Sequence, residues 1–347
     1  MATTLISFVW NNKLGLPSLP PPGTFNGQTI LVTGGSSGIG LAAAVQFIDL
    51  GAASVIITAR NKSRGDAARQ SIEAQTKTEG KGRVKVMELD MNTFAGTKSF
   101  ADRVKAEVKS IDCVLLNAGL LNTEFVPSSE GWVEEIQVNV LSTALLALLL
   151  LPWLKIVGKG KAHLGFVTSG LLQDVDINGD FPKENVLAYF NKPENRPKPP
   201  PRDPMYPLSK LLEQYIANEI AKLALGPDGK PEVIVNTICP GMTVSNLARQ
   251  YKTSLAASVA VGAFLRLIAK STAGGARTYI LAALTTPSEH GKFINHYLSE
   301  EEYKTRTVKN ITGEEGRRMQ AGVWAEAIAI LGESVPEITK FVASTNA

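Results

Sequence analysis

The feature that most constrains the fold of this chain is an alternation of short apolar runs with longer helix-forming segments, which begins at residue 29. The apolar runs are 29–33, 54–58, 84–89, 113–116, 164–168 and 233–238. Short strands that are apolar on both faces, and that are separated by helices, are typical of a parallel sheet covered on both sides. The sequence therefore predicts a single α/β domain, residues 27–347, built on a doubly wound parallel sheet.

Three segments fall outside this alternation. Residues 1–26 contain the run LPSLPPPG, whose proline density predicts an extended N-terminal arm. Residues 171–204 contain RPKPPPRDP, and we predict an inserted loop that is irregular or polyproline-like. Residues 245–275 contain the apolar segment 255–268, which has almost no charge, and we expect 245–275 to cover a substrate site as a lid.

Composition argues against several kinds of protein. Lys and Arg number 36 against 32 Asp and Glu, a net charge of +4 without a basic block, which disfavours nucleic-acid binding. The histidines, His163, His290 and His296, have no spacing suited to a metal site. Cys113 and Cys239 lie far apart in apolar runs, which predicts buried thiols in a reducing compartment.

The apolar segments are too short for membrane insertion. Residues 140–154 form the most apolar run, but about 15 residues fall short of the roughly 20 that span a bilayer, so we predict a buried helix. Residues 5–10 lack the basic flank and the cleavage site of a signal peptide. These features favour a cytoplasmic protein without an integral membrane span.

A glycine-rich segment joins the first apolar run to the helix-forming segment after it. Glycines let the backbone turn tightly and approach a phosphate, whose charge is favoured by a helix N-terminus. Such glycines would also fit an ordinary tight turn, but the strand–loop–helix context favours a dinucleotide. The residues predicted to hold its pyrophosphate are Gly34, Ser36, Ser37, Gly38, Ile39 and Gly40.

Tyr206 and Lys210 carry the predicted chemistry. At positions i and i+4 of one helix their side chains lie on the same face, so the ammonium can stabilise the phenolate. A phenol with a pKa of about 10 transfers protons poorly at neutral pH unless a fixed cation lowers that value. Lys210 can also bond the ribose beside a nicotinamide ring. Pro207 fits because the first helical turn does not need its missing N–H.

These motifs resemble the short-chain dehydrogenase/reductase family, whose nucleotide loop is T-G-x-x-x-G-I-G. The resemblance runs from about residue 27 to at least 245, and the segment EGRRMQAGVW is similar to the retinol-dehydrogenase and carbonyl-reductase branch. It implies a Rossmann-type fold, with Tyr206 as proton donor and Ser169 as the hydroxyl that polarises the substrate oxygen. It also implies that Asn139 holds a water in the proton path, with a satisfied buried amide as the alternative.

The resemblance assigns further residues to the adenine and nicotinamide ends of the cofactor. They are Asp90, Met91, Asn117, Ala118, Gly119, Pro240, Gly241 and Thr243. The chain departs from the family pattern at Leu116, Thr243 and Ser245, where Asn, Val and Thr are usual. A helix cap at Asp90 and an ordinary turn at Asn117 stay open as alternatives.

The end of the second apolar run bears on the choice of cofactor. It lacks the acidic residue that would bind both ribose hydroxyls of NAD and repel a 2′-phosphate. Arg60 and Arg64 follow instead, one helical turn apart, and could grip that phosphate. A pair of solvated surface arginines is the alternative. The sequence predicts NADP(H).

Together these features predict an NADP(H)-dependent oxidoreductase that interconverts a bulky hydrophobic ketone or aldehyde and its alcohol in secondary metabolism. Two alternatives stay open: isomerase, cyclase or dehydratase chemistry on the same scaffold, and a nucleotide-sensing protein without turnover. In some relatives an insertion such as 171–204 blocks the helix-to-helix dimer face. The chain is therefore expected to be a monomer or a homodimer.

Overall fold

The computed structural model describes residues 9–197, 205–244, 247 and 268–345, and a seven-stranded sheet forms its centre. The strands are β1 (Thr29–Val32), β2 (Ser54–Ala59), β3 (Val84–Glu88), β4 (Cys113–Leu116), β5 (Ala162–Val167), β6 (Val233–Ile238) and β7 (Phe293–Ile294). They pair in parallel in the order β3-β2-β1-β4-β5-β6-β7. The predicted doubly wound α/β sheet is confirmed. The two-residue strand β7 was not predicted, because two residues carry no periodicity.

The helices of the described residues are α1 (Gly38–Asp49), α2 (Lys62–Thr76), α3 (Phe94–Glu107), α4 (Glu134–Gly158), α5 (Val186–Phe190), α6 (Met205–Leu223), α7 (Thr272–Ala282), α8 (Glu300–Thr307), α9 (Glu314–Ser334) and α10 (Pro336–Thr345). Side-chain caps set where several of them begin. Asn61 accepts a hydrogen bond from the Arg64 N–H at 3.0 Å, so α2 starts at Lys62.

Helices cover the sheet on both faces. On one face, α1, α2 and α7 bury Phe47, Ile72 and Tyr279 against the strands. On the other face, α3, α4, α6, α9 and α10 share one apolar core. Residues 143–151 of α4 are all buried there, and each of its leucines contributes roughly 1.5–3 kcal/mol by leaving water.

Within the described ranges, α4 is the one helix long and apolar enough to cross a membrane by length and composition, with a mean hydropathy of 2.2. However, 72% of that window is buried inside the domain. The helix packs between the sheet and α3, α6 and α10. The predicted buried helix is confirmed.

The N-terminal arm was predicted to be extended, and this is wrong for residues 10–14, whereas residues 16–21 of the proline-rich run have no helical structure. Trp10–Leu14 form a π-helical turn, and the Asn12 side chain within it is fully buried. Further along, the ring of Phe25 packs edge-on against Phe47, with centroids 5.0 Å apart. The proline run did not predict this docking because the partners of the arm lie far away in sequence.

The inserted loop and the lid also need correction. Residues 171–204 were predicted to be irregular, but Gly170–Asp174 and Pro193–Asn195 form 3-10 turns on either side of α5; residues 198–204 lie outside the described part. Of the predicted lid, 245–275, residues 245–246 and 248–267 lie outside it as well. Residues 272–275 begin α7, which packs on α1, so they are not lid.

Candidate active site

A large cleft opens where the chain order of the sheet reverses, between the carboxyl ends of β1 and β4. This is where ligands bind in doubly wound sheets. The cleft has a volume of about 1550 Å³, and every residue predicted for the site except Asn139 lines it. Those residues are Gly34, Ser36, Ser37, Gly38, Ile39, Gly40, Arg60, Arg64, Asp90, Met91, Asn117, Ala118, Gly119, Ser169, Tyr206, Lys210, Pro240, Gly241 and Thr243.

The glycine loop has the shape of a phosphate cradle. Gly34 and Gly38 have φ values of +64° and +60°, which favour glycine, and a Cβ at Gly38 would meet only open space. A Cβ at Gly40 would lie 2.6 Å from Asn117 Nδ2, too close for any side chain. The side chain of the N-cap residue, Ser37, does not hydrogen-bond the first N–H groups of α1. These groups fit a pyrophosphate.

Asn117 braces this loop from the neighbouring strand. Its Nδ2 donates to the Thr33 carbonyl oxygen at 2.8 Å, and Thr33 Oγ1 accepts hydrogen bonds at 2.9 Å from the N–H groups of Asn117 and Ala118. The hydroxyl of Tyr279 on α7 donates to Asn117 Oδ1 at 2.7 Å and fixes the orientation of the amide. Tyr279 also lines the cleft, and the sequence analysis missed it because it is far away in sequence.

Arg60 and Arg64 lie at the adenosine end of the cleft, after β2 and in the first turn of α2. Both are exposed, and neither guanidinium forms a hydrogen bond or ion pair with the described residues. The nearest acid along α2, Asp66, is already paired with Lys62 at 2.6 Å. The end of β2 therefore presents two uncompensated cations and suits a 2′-phosphate.

Ser169, Tyr206 and Lys210 meet at the end of β5. The first turn of α6 carries Tyr206, and the Lys210 ammonium lies 5.8 Å from the centroid of its ring. Ser169 follows β5 and hydrogen-bonds the phenol. Burial raises the pKa of Tyr206 above its usual value, whereas the hydrogen bond with Ser169 lowers it. A hydroxyl and a phenol thus point to one place, where a substrate oxygen could bind.

Lys210 has a partner that the sequence analysis did not single out. Its Nζ donates to the Val167 carbonyl oxygen at 2.9 Å and to Glu213 Oε2 at 2.7 Å. Both side chains of this ion pair are buried, and burial raises the pKa of Glu213 to about 7. The available signal was a carboxylate three residues after the lysine, on the buried face of the helix.

Asn139 does not reach the cleft, and protein groups saturate its amide. Its Oδ1 accepts from the Leu120 N–H at 2.9 Å, and its Nδ2 donates to the Leu120 carbonyl oxygen at 2.9 Å and to Ser209 Oγ at 3.0 Å. Ser209 in turn donates to the Tyr206 carbonyl oxygen at 2.9 Å. The satisfied buried amide, the alternative left open by the sequence, describes this side chain, and its contacts steady the first turn of α6.

The segment after β6 forms the wall opposite Tyr206. Gly241 has a φ of +73°, and any Cβ there would collide with Asn12 Oδ1. Cys239 Sγ lies 3.0 Å from the Gly170 nitrogen and 2.9 Å from the Tyr297 hydroxyl. Both cysteines are free and buried, as predicted, but Cys239 also lines the cleft.

The substrate side of the cleft is more polar than the sequence indicated. Aromatic and aliphatic groups form its inner wall: Leu171, Val175, Phe181, Tyr189, Phe190 and Leu208. Amides and carboxylates share the same wall: Gln173, Asp174, Asp176, Asn178, Asp180 and Asn195. A mixed surface of this kind suits a ligand with an apolar body and hydrogen-bonding substituents.

The amino-acid sequence matches known relatives over nearly its whole length. It is 32% identical over 347 residues to the short-chain dehydrogenase/reductase ffsI of Aspergillus flavipes, an alignment that covers 99% of this chain and 97% of that relative. The chain belongs to the short-chain dehydrogenase/reductase family. The model of that family described as short chain dehydrogenase matches residues 28–173. The short-chain dehydrogenase/reductase phmF of Phaeosphaeria nodorum is 33% identical, over 91% of this chain and 89% of that relative.

Solved structures of short-chain dehydrogenases share the fold. A putative short chain dehydrogenase of Escherichia coli, complexed with NADPH, superposes with a TM-score of 0.57 at 23% identity, over 79% of this chain and 98% of that one. L-sorbose reductase from Gluconobacter frateurii, complexed with NADPH and L-sorbose, superposes with a TM-score of 0.60 at 19% identity, over 80% and 98%. The fold is therefore Rossmann-type.

Proposed function

We propose that this short-chain dehydrogenase/reductase is an NADP(H)-dependent enzyme that interconverts a bulky, largely hydrophobic ketone or aldehyde and its alcohol. The observation that carries the proposal is the convergence of Ser169, Tyr206 and Lys210 at one point of the cleft. Bound NADPH would supply the hydride, and the protein would supply the proton and hold the reacting groups in place. A non-redox use of the scaffold would not need all three side chains together.

The two hydroxyl groups divide the work at the substrate oxygen. Ser169 would donate a hydrogen bond to the carbonyl oxygen and orient it, and Tyr206 would transfer its proton as negative charge develops there. The ammonium of Lys210 has three N–H donors, two of which serve Val167 and Glu213. The third would bond the nicotinamide ribose and fix the ring for hydride transfer.

NADP(H) is favoured over NAD(H) by charge. The exposed guanidinium groups of Arg60 and Arg64 attract a 2′-phosphate. The first acidic side chain after β2 is Asp66, and it forms an ion pair with Lys62. The proposed roles of the adenine and nicotinamide supports, from Asp90 and Met91 to residues 240–243, follow from their position along the cleft.

The size and the lining of the cleft support a bulky substrate. Its volume of about 1550 Å³ exceeds the roughly 300–1,000 Å³ of ordinary ligand pockets, which leaves room for a substrate beside a dinucleotide. The rings of Phe181, Tyr189 and Phe190 form a cluster with centroids 5.0–5.4 Å apart. We also propose a cytoplasmic location and a role in secondary metabolism; the free cysteines fit a reducing compartment.

The test is NADPH consumption by the purified full-length protein against a panel of lipophilic ketones, quinones and aldehydes, with small sugars as the contrasting set. We expect turnover with members of the lipophilic group and little with the sugars. An isomerase or cyclase would convert its substrate without net NADPH consumption. Conversion of that kind, or NADPH binding without any turnover, would contradict the proposal.

A further inference from the structure

Glu213 and Lys210 form a buried ion pair that the reaction described above does not explain. Lys210 Nζ lies 2.7 Å from Glu213 Oε2, and the side chains are 4% and 2% exposed. The two residues are separated by one turn of α6 and lie on the same face as Tyr206. A buried pair of this kind gains no stability over apolar side chains as a rule, so its retention beside a proton donor points to a role in the chemistry.

The carboxylate opposes the effect of the ammonium on the phenol. A cation close to a phenol lowers its pKa, and an anion raises it. Burial raises the pKa of Tyr206, and the negative charge of Glu213 raises it further. Burial moves the pKa of Glu213 to about 7, against the opposing effect of Lys210. Above neutral pH the pair is therefore ionised and carries no net charge.

The other groups around Tyr206 affect its pKa less than Glu213 does, although Cys239 acts in the same direction and raises it. Cys239 at the end of β6 and Tyr279 on α7 are the titratable neighbours from other elements. Burial holds the pKa of Tyr279 well above its usual value, so that phenol stays neutral. The strand β5 and the helix α4 present the Val167 carbonyl and Asn139, which do not titrate. Close to neutral pH, Glu213 changes charge beside Lys210; Lys270, whose pKa burial lowers to about 8, lies beside Gly241.

We propose that Glu213 is a positioning residue that holds Lys210 and, as a carboxylate, opposes the ionisation of Tyr206, which extends to higher pH the range in which the phenol can protonate a carbonyl oxygen. The inference rests on the proposed function of Tyr206 as proton donor. In each turnover bound NADPH would supply a hydride to the carbonyl carbon and be oxidised to NADP⁺, while the proton of Tyr206 would move to the oxygen. A proton from solvent then restores the phenol, and the ionised Glu213 opposes its loss.

The variant Glu213→Gln tests the charge while keeping the size of the side chain and its ability to accept a hydrogen bond from Lys210. Its matched control is Glu219→Gln, which removes a carboxylate from the same helix, where it pairs with Lys222 at 2.6 Å. The measurement is kcat/KM against pH for carbonyl reduction and for alcohol oxidation. In Glu213→Gln we expect the alkaline limb of reduction and the acid limb of oxidation to move down together by about one pH unit or more. Glu219→Gln should match the wild type.

A second readout needs neither substrate nor cofactor. Ultraviolet titration follows tyrosinate formation, and the difference between any protein and its Tyr206→Phe counterpart isolates this phenol. We expect it to ionise at lower pH in Glu213→Gln than in the wild type. Glu213→Asp keeps the negative charge on a shorter side chain, and we expect it to retain the wild-type titration profile of Tyr206. If Glu213 acted through the size of its side chain alone, Glu213→Asp would change that profile.

The outcomes separate the inference from the function on which it rests. Unchanged pH limbs and an unchanged titration in folded Glu213→Gln would overturn the inference and leave the proposed reductase intact. Wild-type turnover in Tyr206→Phe would overturn the proposed function itself. If Glu213→Gln does not fold, Glu213→Met fills the site with an apolar side chain and carries the same test. Ionisation of wild-type Tyr206 below a pH of about 10 would overturn the inference without any Glu213 variant.

Discussion

The side-chain amide of Asn12 forms two hydrogen bonds with the backbone of Met242, although 230 residues separate them. Asn12 Nδ2 donates to the Met242 carbonyl oxygen at 3.1 Å, and the Met242 N–H donates to Asn12 Oδ1 at 3.1 Å. The same amide donates to the Ile268 carbonyl oxygen at 3.2 Å. A turn near the start of the chain thus braces residues 240–243, the segment that we propose closes over the nicotinamide.

Removing this brace should weaken both the fold and cofactor binding. Asn12→Ala leaves a buried N–H and two buried carbonyl groups without partners. Each unsatisfied group should lower the free energy of unfolding by up to about 1–3 kcal/mol. We expect a lower Tm and weaker NADPH binding, measured by thermal unfolding and by calorimetry. Asn11→Ala is the control, because Asn11 is exposed on the same turn. If Asn12→Ala and Asn11→Ala have the same Tm and the same affinity for NADPH, the N-terminal arm does not support the cofactor site.

Arg60 should determine the preference for NADP(H). We expect NADPH to bind at least about ten-fold tighter than NADH, since a charge-assisted phosphate contact is worth about 1.5–3 kcal/mol. Arg60→Asp should remove most of that difference. Lys81→Asp makes the same change of charge at an exposed side chain outside the cleft and should preserve it. Equal affinities of the wild type for both cofactors would contradict this assignment.

Arg196 anchors the inserted loop beside the substrate. Its Nη2 donates to Glu135 Oε1 at 2.9 Å and to the Asn122 carbonyl oxygen at 2.8 Å, and Glu135 is fully buried. Arg196→Met leaves the buried carboxylate of Glu135 without its cation, so we expect a loss of about 3–5 kcal/mol in the free energy of unfolding. We also expect a higher KM for the carbonyl substrate, with NADPH affinity unchanged within about two-fold.

Burial raises the pKa of Glu135, which fixes the sign of the pH dependence. A carboxyl whose pKa is raised in the folded state favours folding at low pH, and this contribution is lost as the pH rises through the folded pKa. The cost of Arg196→Met should therefore be smaller at about pH 5 than at about pH 8. Lys183→Met is the control on the same loop, because its surface pair with Glu315 contributes about 0–1 kcal/mol. Equal stability losses in the two variants would show that the loop has no buried anchor.

The helices after β7 should keep the protein monomeric. On α9, Gln320 Nε2 donates to Glu219 Oε1 at 2.6 Å, and Asn218 Nδ2 donates to Gln320 Oε1 at 2.7 Å. Val323 and Leu331 join the core shared with α4 and α6. We expect light scattering to give a mass close to 37.1 kDa. A stable species of twice that mass would contradict this prediction.

Much of the fold was predictable because its signals are local. The strands from β1 to β6 are short and mostly apolar, although Lys85 and Glu88 of β3 are exposed. The glycine loop and the pair Tyr206 and Lys210 lie within single short segments. Parallel strands bring their carboxyl ends to one edge of the sheet, so locating these motifs at strand ends already brought them together. The N-cap of α2 is also a local feature, since Asn61 accepts from the N–H of Arg64 three residues later.

The rest depends on contacts that no local pattern records. Asn12 lies 230 residues from Met242, and Tyr279 lies 162 residues from Asn117. Neither the proline-rich arm nor the apolar segment of α7 contains a signal of these partners. Glu213 differs, because its spacing from Lys210 was visible, but a carboxylate on a helix is usually solvated, and only its burial reveals the ion pair.

Turnover of Tyr206→Phe, with NADPH and a carbonyl substrate found in the panel, tests the central claim most directly. The variant keeps the ring and removes the one group proposed to protonate the carbonyl oxygen. We expect kcat to fall by roughly 10²–10⁴-fold, with NADPH affinity and Tm close to those of the wild type. Tyr189→Phe, another tyrosine of the cleft wall, should stay within about two-fold of the wild type. If Tyr206→Phe retains more than about half of the wild-type turnover, Tyr206 is not the proton donor and the proposed reductase mechanism is wrong.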